Sequence, residues 1–132
     1  MTRMIGDNCF VCGKDNPIGL KLVFEYSKNS AFCSFSLSKE FEGYNNIIHG
    51  GIISTILDES MAKVIINSGF IGITGFIEIK FLNPLYVDKR AKVFSKIVES
   101  KKRIFFTTAK IIDEDKQVIA KAKAKFIKYE SA

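Results

Sequence analysis

Apolar side chains recur with two different periods along this chain, and the switch between them marks its organisation. From Leu20 the period is two. Leu20, Leu22, Phe24 and Tyr26 alternate with Lys21, Val23 and Glu25, and after Lys28-Asn29-Ser30 the run from Ala31 to Leu37 alternates again, which predicts a β-hairpin. The segment from Glu40 to Asn46 is irregular, with Gly43 and Asn45-Asn46 as breakers. At His49-Gly50-Gly51 the period becomes helical: Ile52, Ile53, Ile56, Leu57, Met61, Val64 and Ile65 share one face, and the pattern ends at Asn67 to Gly69, where glycine suits a left-handed cap.

After the helix the pattern returns to strands. Ile77, Ile79 and Phe81 form one face of a segment ending at Asn83-Pro84, Val93 and Ile97 belong to a second, and Ile104 to Ile112 makes a third. In the last, Ala120, Ala122 and Ala124 alternate with Lys121, Lys123 and Lys125. A face made only of alanine lets a bulky element approach closely, and the one available is the helix. The predicted class is therefore α+β: one long central helix lying across the concave face of an antiparallel sheet, in the order strand, strand, helix, four strands. The lysines of the last strand read as a solvated face.

Composition narrows the partners more than the fold. A chain of 132 residues at 47% hydrophobic suits a single domain over 1–132, with 1–19 as an N-terminal loop segment. Met1 to Asn8 lack a secretory pattern and no apolar run approaches the ~20 residues of a membrane span, so a cytoplasmic protein with no membrane partner is expected. The net charge of +6 favours an anionic partner. Without an RNA-binding signature, zinc-finger spacing or helix-turn-helix pattern, nucleic acid is not expected among them. The three cysteines are expected to be reduced thiols. Cys9 and Cys12 have the spacing of half a zinc site, for which Cys33, His49 or a second pair across a dimer would have to supply the remaining donors.

The candidate chemistry lies at the start of the helix. Backbone N–H groups there have no partner inside the helix and the aligned peptide dipoles place partial positive charge on them. Gly50 and Gly51 leave room for a ligand carbonyl to reach those groups; equally, the pair permits a tight entry and close packing on the sheet. Asp58 follows Gly51 by seven residues, about 10 Å along a helix axis, too far to act on a carbonyl held at its own helix start. Two antiparallel helices across a twofold axis would bring Asp58 of one chain beside Gly51 of the other, which predicts a homodimer with composite sites. Glu59 reads as polar edge, in company with Lys63.

His49-Gly50-Gly51 followed by Asp58 resembles the signature of hotdog-fold acyl-CoA thioesterases of the phenylacetyl-CoA and 4-hydroxybenzoyl-CoA type. The resemblance extends over Phe41-Glu42-Gly43-Tyr44, Leu57-Asp58-Glu59-Ser60-Met61, Thr74 ahead of a strand ending in Phe81-Leu82-Asn83-Pro84, and the Cys9 to Leu20 opening. It implies the hotdog fold, a thioesterase with no metal or redox cofactor (coenzyme A being part of the substrate), and a homodimer or a tetramer of two dimers. Asp58 would be general base or nucleophile, the Gly51 N–H would polarise the thioester carbonyl, His49 would help position it, and Thr74 would hold the water. Some relatives carry asparagine where this chain has Gly43, so Asn45 or Asn46 would replace it; Gly50 and Asn46 are the expected substrate contacts. Lys101-Lys102-Arg103, with Lys102 and Arg103 foremost, would bind the nucleotide end of coenzyme A, unless the cluster is an ordinary charged turn. A hotdog domain that binds acyl-CoA without hydrolysing it is the alternative, and a dehydratase is disfavoured by the lack of a second histidine.

Overall fold

The helical period folds as α1, Gly50–Asn67, in a computed structural model that describes residues 5–132. Residues 1–4 of the expected N-terminal loop segment lie outside the described residues. Ile56, Leu57, Met61, Val64 and Ile65 are fully buried, each burial being worth about 1.5–3 kcal/mol. Three of those five side chains are β-branched, so packing rather than intrinsic propensity holds the helix. It stops as expected: Ser68 N–H reaches Val64 O and Ile65 O, and Gly69 turns the chain at φ +104°.

Among the described residues six strands form one antiparallel sheet around α1: β1 Glu25–Ser27, β2 Ser30–Phe35, β3 Phe70–Phe81, β4 Ala91–Lys101, β5 Ile104–Asp113 and β6 Val118–Ser131, in the spatial order β1-β2-β4-β5-β6-β3. This is the expected hotdog arrangement. The alanines of β6 are buried while Lys121, Lys123 and Lys125 are exposed, and Ile77 and Ile79 of β3 sit opposite Ala124 and Ala122. The small residues thus let helix and sheet approach closely. Among the described residues no helix is long and apolar enough to cross a membrane.

Two expected boundaries differ. Leu20 to Phe24 does not join the ladder, because Lys21 takes a left-handed φ of +56°, and the N–H groups of Leu20 and Leu22 bond instead to Phe10 O and Val11 O at 2.8 and 2.9 Å. Leu22 and Phe24 are nevertheless buried and Val23 is exposed, so the alternation reported burial rather than strand pairing. At the other edge, β3 begins at Phe70, which places Thr74 inside the strand instead of ahead of it.

Candidate functional site

The entry to α1 is built by a tight loop. Gly43 N–H bonds to Ile47 O, His49 N–H to Phe41 O and Ile48 N–H to Leu85 O. Gly43 is where the family resemblance anticipates asparagine in some relatives, and a Cβ there would meet His49 Cα at 3.2 Å and Cδ2 at 3.3 Å. The histidine therefore rests on the glycine. Asn46 holds the turn through its backbone: its φ is +68°, its N–H donates to Glu42 Oε2 at 2.8 Å, and its carbonyl accepts from Val87. A left-handed backbone is a position asparagine tolerates, so the residue acts here as a turn former.

His49 is the N-cap of α1, and its Nδ1 accepts the Gly51 N–H at 2.8 Å. Sequence reasoning assigned that N–H to a ligand carbonyl; in the folded chain the imidazole takes it. A neutral ring that accepts at Nδ1 carries its proton on Nε2, which leaves Nε2–H as a donor. The Gly50 N–H has no acceptor among the described residues. Beside these groups lies a hollow of about 720 Å³ walled by His49, Gly50, Ile53, Phe81, Leu82 and Leu85. Phe81, expected on one strand face with Ile77 and Ile79, is 56% exposed and lies 3.6 Å from where a Cβ on Gly50 would stand.

Two turns along, Asp58 is half-buried and its Oδ1 accepts a hydrogen bond from Thr74 Oγ1 at 2.7 Å. Burial pushes its carboxyl above the usual aspartate range, the neighbouring Glu59 adds to the rise, and the Thr74 hydroxyl partly offsets it. Thr74 is aimed by an irregularity in β3, where the register with β6 shifts between Thr74 and Phe76. Gly51, Thr55, Asp58, Ala62 and Ile66 form one stripe along the helix, exposed or half-buried throughout. Beside it, among the described residues, β3 ends the sheet and pairs only with β6. Ile73 and Phe76 on that edge strand are 45% and 49% exposed.

The adjacent Glu59 is more than polar edge. Cys9 Sγ donates to Glu59 Oε2 at 3.5 Å, and Lys63 Nζ lies 3.8 Å from the same oxygen. Cys9, Cys12 and Glu59 converge, whereas Cys33 is buried in β2 and His49 is at the helix start. The side chain that meets the pair within this chain is thus Glu59, and not Cys33 or His49. Nothing local could have shown this, since the partners stand fifty positions apart.

Lys101-Lys102-Arg103 forms the β4–β5 turn, with Lys102 at φ +53°. The Arg103 guanidinium donates to Lys128 O at 3.0 Å and its carbonyl accepts from Lys128 N–H. Since Lys128 pairs with Gly72 near the start of β3, the turn lies at the end of the sheet where α1 finishes, away from His49 of the same chain. A larger hollow of about 890 Å³ on the sheet's outer face, bordered by Phe32, Phe94, Lys96, Lys110, Lys121 and Lys123, includes none of the residues anticipated from the sequence as a site.

The thioesterase superfamily profile matches residues 45–120. Among solved structures, the chain is similar to a Streptococcus mutans protein bound to acetyl-CoA, at 20% identity and TM-score 0.78 over 83% of this chain and 88% of that one. It is similar to the Escherichia coli PaaI protein of the phenylacetic acid degradation operon at 14% identity and TM-score 0.80, covering 86% and 83%. It also matches zebrafish thioesterase superfamily member 2 at 12% identity and TM-score 0.79, covering 92% and 91%. At such identities the structural likeness is one of fold.

Proposed function

The chain belongs to the thioesterase superfamily, and from that premise we propose that it hydrolyses an acyl-CoA thioester to the free acid and coenzyme A. The observation that carries the proposal is the Asp58 carboxylate, half-buried on α1 and held by Thr74 Oγ1 at 2.7 Å. Asp58 acts as general base on water or as nucleophile on the thioester carbon, and its raised proton affinity makes it the stronger base once ionised. The thioester oxygen, as it gains charge, is held by the Gly50 N–H and by His49 Nε2–H at the positive end of the helix. Gly51 contributes by holding the imidazole through its own N–H. As the carbonyl re-forms, the carbon–sulfur bond breaks and coenzyme A leaves as thiolate, which takes up the proton lost by water; on the nucleophilic route the acyl group passes first to the Asp58 carboxylate as an anhydride, which water then hydrolyses to the free acid.

In this reading the site is shared between two chains. Support comes from three features: the roughly 10 Å between Gly51 and Asp58 along one helix, the exposed stripe that carries both, and the long apolar edge of β3 next to it. An edge of that kind pairs readily with a second copy of itself. Subunit complementation tests the arrangement. Asp58→Ala and His49→Ala are each expected to lower turnover by at least 10²-fold, while a mixture allowed to exchange subunits recovers about a quarter of wild-type activity, because half of its dimers hold one intact site. A mixture as inactive as its components would confine the site to one chain. On the same reading, Lys102 meets the nucleotide end of coenzyme A, since the Arg103 guanidinium is engaged with the Lys128 carbonyl.

One observation favours a second reading, a domain that binds acyl-CoA without hydrolysing it. The Gly51 N–H, a natural oxyanion donor, is occupied by His49 Nδ1. A panel of acyl-CoAs assayed with a thiol reagent separates the two readings. A binder gives a thermal shift with no release of thiol, and the hydrolase gives both.

A further inference from the structure

The face of α1 next to the one that carries the Asp58 and Thr74 contact holds a second cluster that thioester hydrolysis does not use. We propose that Cys9, Cys12 and Glu59 form a binding site for a divalent zinc ion, which fastens the N-terminal segment to the middle of the helix. The two sulfurs and a carboxylate oxygen lie within 4.8 Å of one another, so a small movement would bring each to a zinc–ligand distance of about 2.0–2.3 Å. All three residues are half-buried, which leaves one side open for a water as fourth ligand.

The loop that presents the thiols is shaped for the purpose. Gly13 N–H bonds to Cys9 O at 2.9 Å and Asp15 N–H to Asp7 O at 2.9 Å, closing a tight turn around the pair. A Cβ on Gly13 would stand 2.3 Å from Cys9 N and 2.5 Å from Asp7 O, so the turn admits only glycine. Cys12 N–H points at Cys9 Sγ, 3.4 Å away. A backbone donor beside a sulfur is an outer contact that orients a ligand, and cysteine binds metal as the thiolate.

Charge and ligand type select the ion. Two thiolates and a carboxylate bring three negative charges, and a divalent ion offsets two of them. Lys63, with Nζ at 3.8 Å from Glu59 Oε2, supplies the third positive charge and donors for the outer side of the ligands. Thiolate ligands favour zinc over magnesium or calcium. The cluster joins the loop around Cys9 to α1 at Glu59, one residue from Asp58. Zinc here would be structural, and the hydrolytic chemistry proposed above needs no metal.

The test uses the full chain, reduced and stripped with a chelator, then titrated with zinc and separately with cobalt(II). About one zinc per chain is expected, together with a sulfur-to-cobalt charge-transfer band and the visible bands of a tetrahedral ion. Zinc should raise the melting temperature of the wild type by about 3 °C or more. In Cys12→Ser the cobalt bands should vanish and the thermal shift with them, and in Glu59→Gln zinc affinity should fall at least tenfold. Reduced wild-type protein that retains no zinc overturns the proposal, as does a Glu59→Gln variant with unaltered cobalt spectrum and zinc affinity. The wild-type titration decides the matter even where a variant fails to fold.

Discussion

Asp58 and Glu59 are neighbours in sequence and have opposite surroundings. Asp58 turns to β3, where its one hydrogen-bond partner among the described residues is the neutral hydroxyl of Thr74 and burial raises its proton affinity. Glu59 turns to the N-terminal loop, where it accepts from Cys9 and pairs with the Lys63 ammonium. Among the described residues, one carboxylate is left without a cation, and the other is compensated. A half-buried, uncompensated acid costs stability and is a strong base when ionised; a compensated one ties elements together.

The contrast makes its largest prediction at Asp58. Because the folded pKa is raised, the folded state holds more protons than the unfolded chain between the usual aspartate pKa and the folded one. Stability conferred by residue 58 is therefore unaffected below that window, falls as pH rises through it, and stays lowered above it. Asp58→Asn removes the charge at little change of shape. Turnover is expected to fall by at least 10²-fold, while the urea midpoint at neutral pH rises and its decline across mildly acidic pH becomes shallower. Loss of activity and stability together would make Asp58 a structural residue and end the contrast.

Thr74→Val sharpens the same side. The hydroxyl donates to the carboxylate and so lowers the Asp58 pKa, and its removal should move the acid limb of the kcat/KM profile to higher pH. Turnover on the acid side should then drop severalfold and recover toward the alkaline side. Serine at 74 should restore the limb. A profile that falls evenly at every pH would mean that Thr74 positions the substrate or shapes the strand instead.

On the other flank the sign reverses. Glu59→Gln leaves Lys63 without its anion and weakens the bond from Cys9, and metal-free protein is expected to lose about 1 kcal/mol, as for a partly exposed charged hydrogen bond. Chemical denaturation of both variants side by side is the direct comparison: Asn at 58 stabilises and Gln at 59 destabilises. Equal signs would mean that the two carboxylates have similar environments.

How much of this the sequence shows depends on how local the cause is. The helix, its Gly69 stop and the alanine face of β6 follow from spacing, since each arises from period or from a backbone conformation. The first strand misled because alternation records burial, and a single left-handed residue, Lys21, takes the backbone out of the ladder while Leu22 and Phe24 stay inside. Asp58 stood out by its spacing from His49-Gly50-Gly51, yet its bond to Thr74 depends on a shift of register in β3 that no pattern announces. The capping of Gly51 by His49 was in principle local, being two residues apart; it was hidden because serine, threonine, aspartate and asparagine are the residues that usually announce an N-cap. Glu59 was the least legible, because its meaning comes from a thiol fifty positions away.

Ser60, the next residue, supplies the smallest and most local test. Successive helix positions point about 100° apart, so 58 faces the edge strand, 59 the N-terminal loop and 60 the sheet. There the Ser60 carbonyl accepts from Ser95 Oγ at 2.7 Å, which ties α1 to β4, but Ser60 Oγ itself is buried with no partner among the described residues. Ser60→Ala keeps the carbonyl and its bond, removes the unpaired hydroxyl and improves helix propensity. A gain approaching about 1 kcal/mol in the urea-extrapolated stability is expected, with the acid limb of kcat/KM unmoved because the change faces away from Asp58. A loss would show that the hydroxyl is paired in solution, and a moved limb would show that the three faces of the helix centre are coupled.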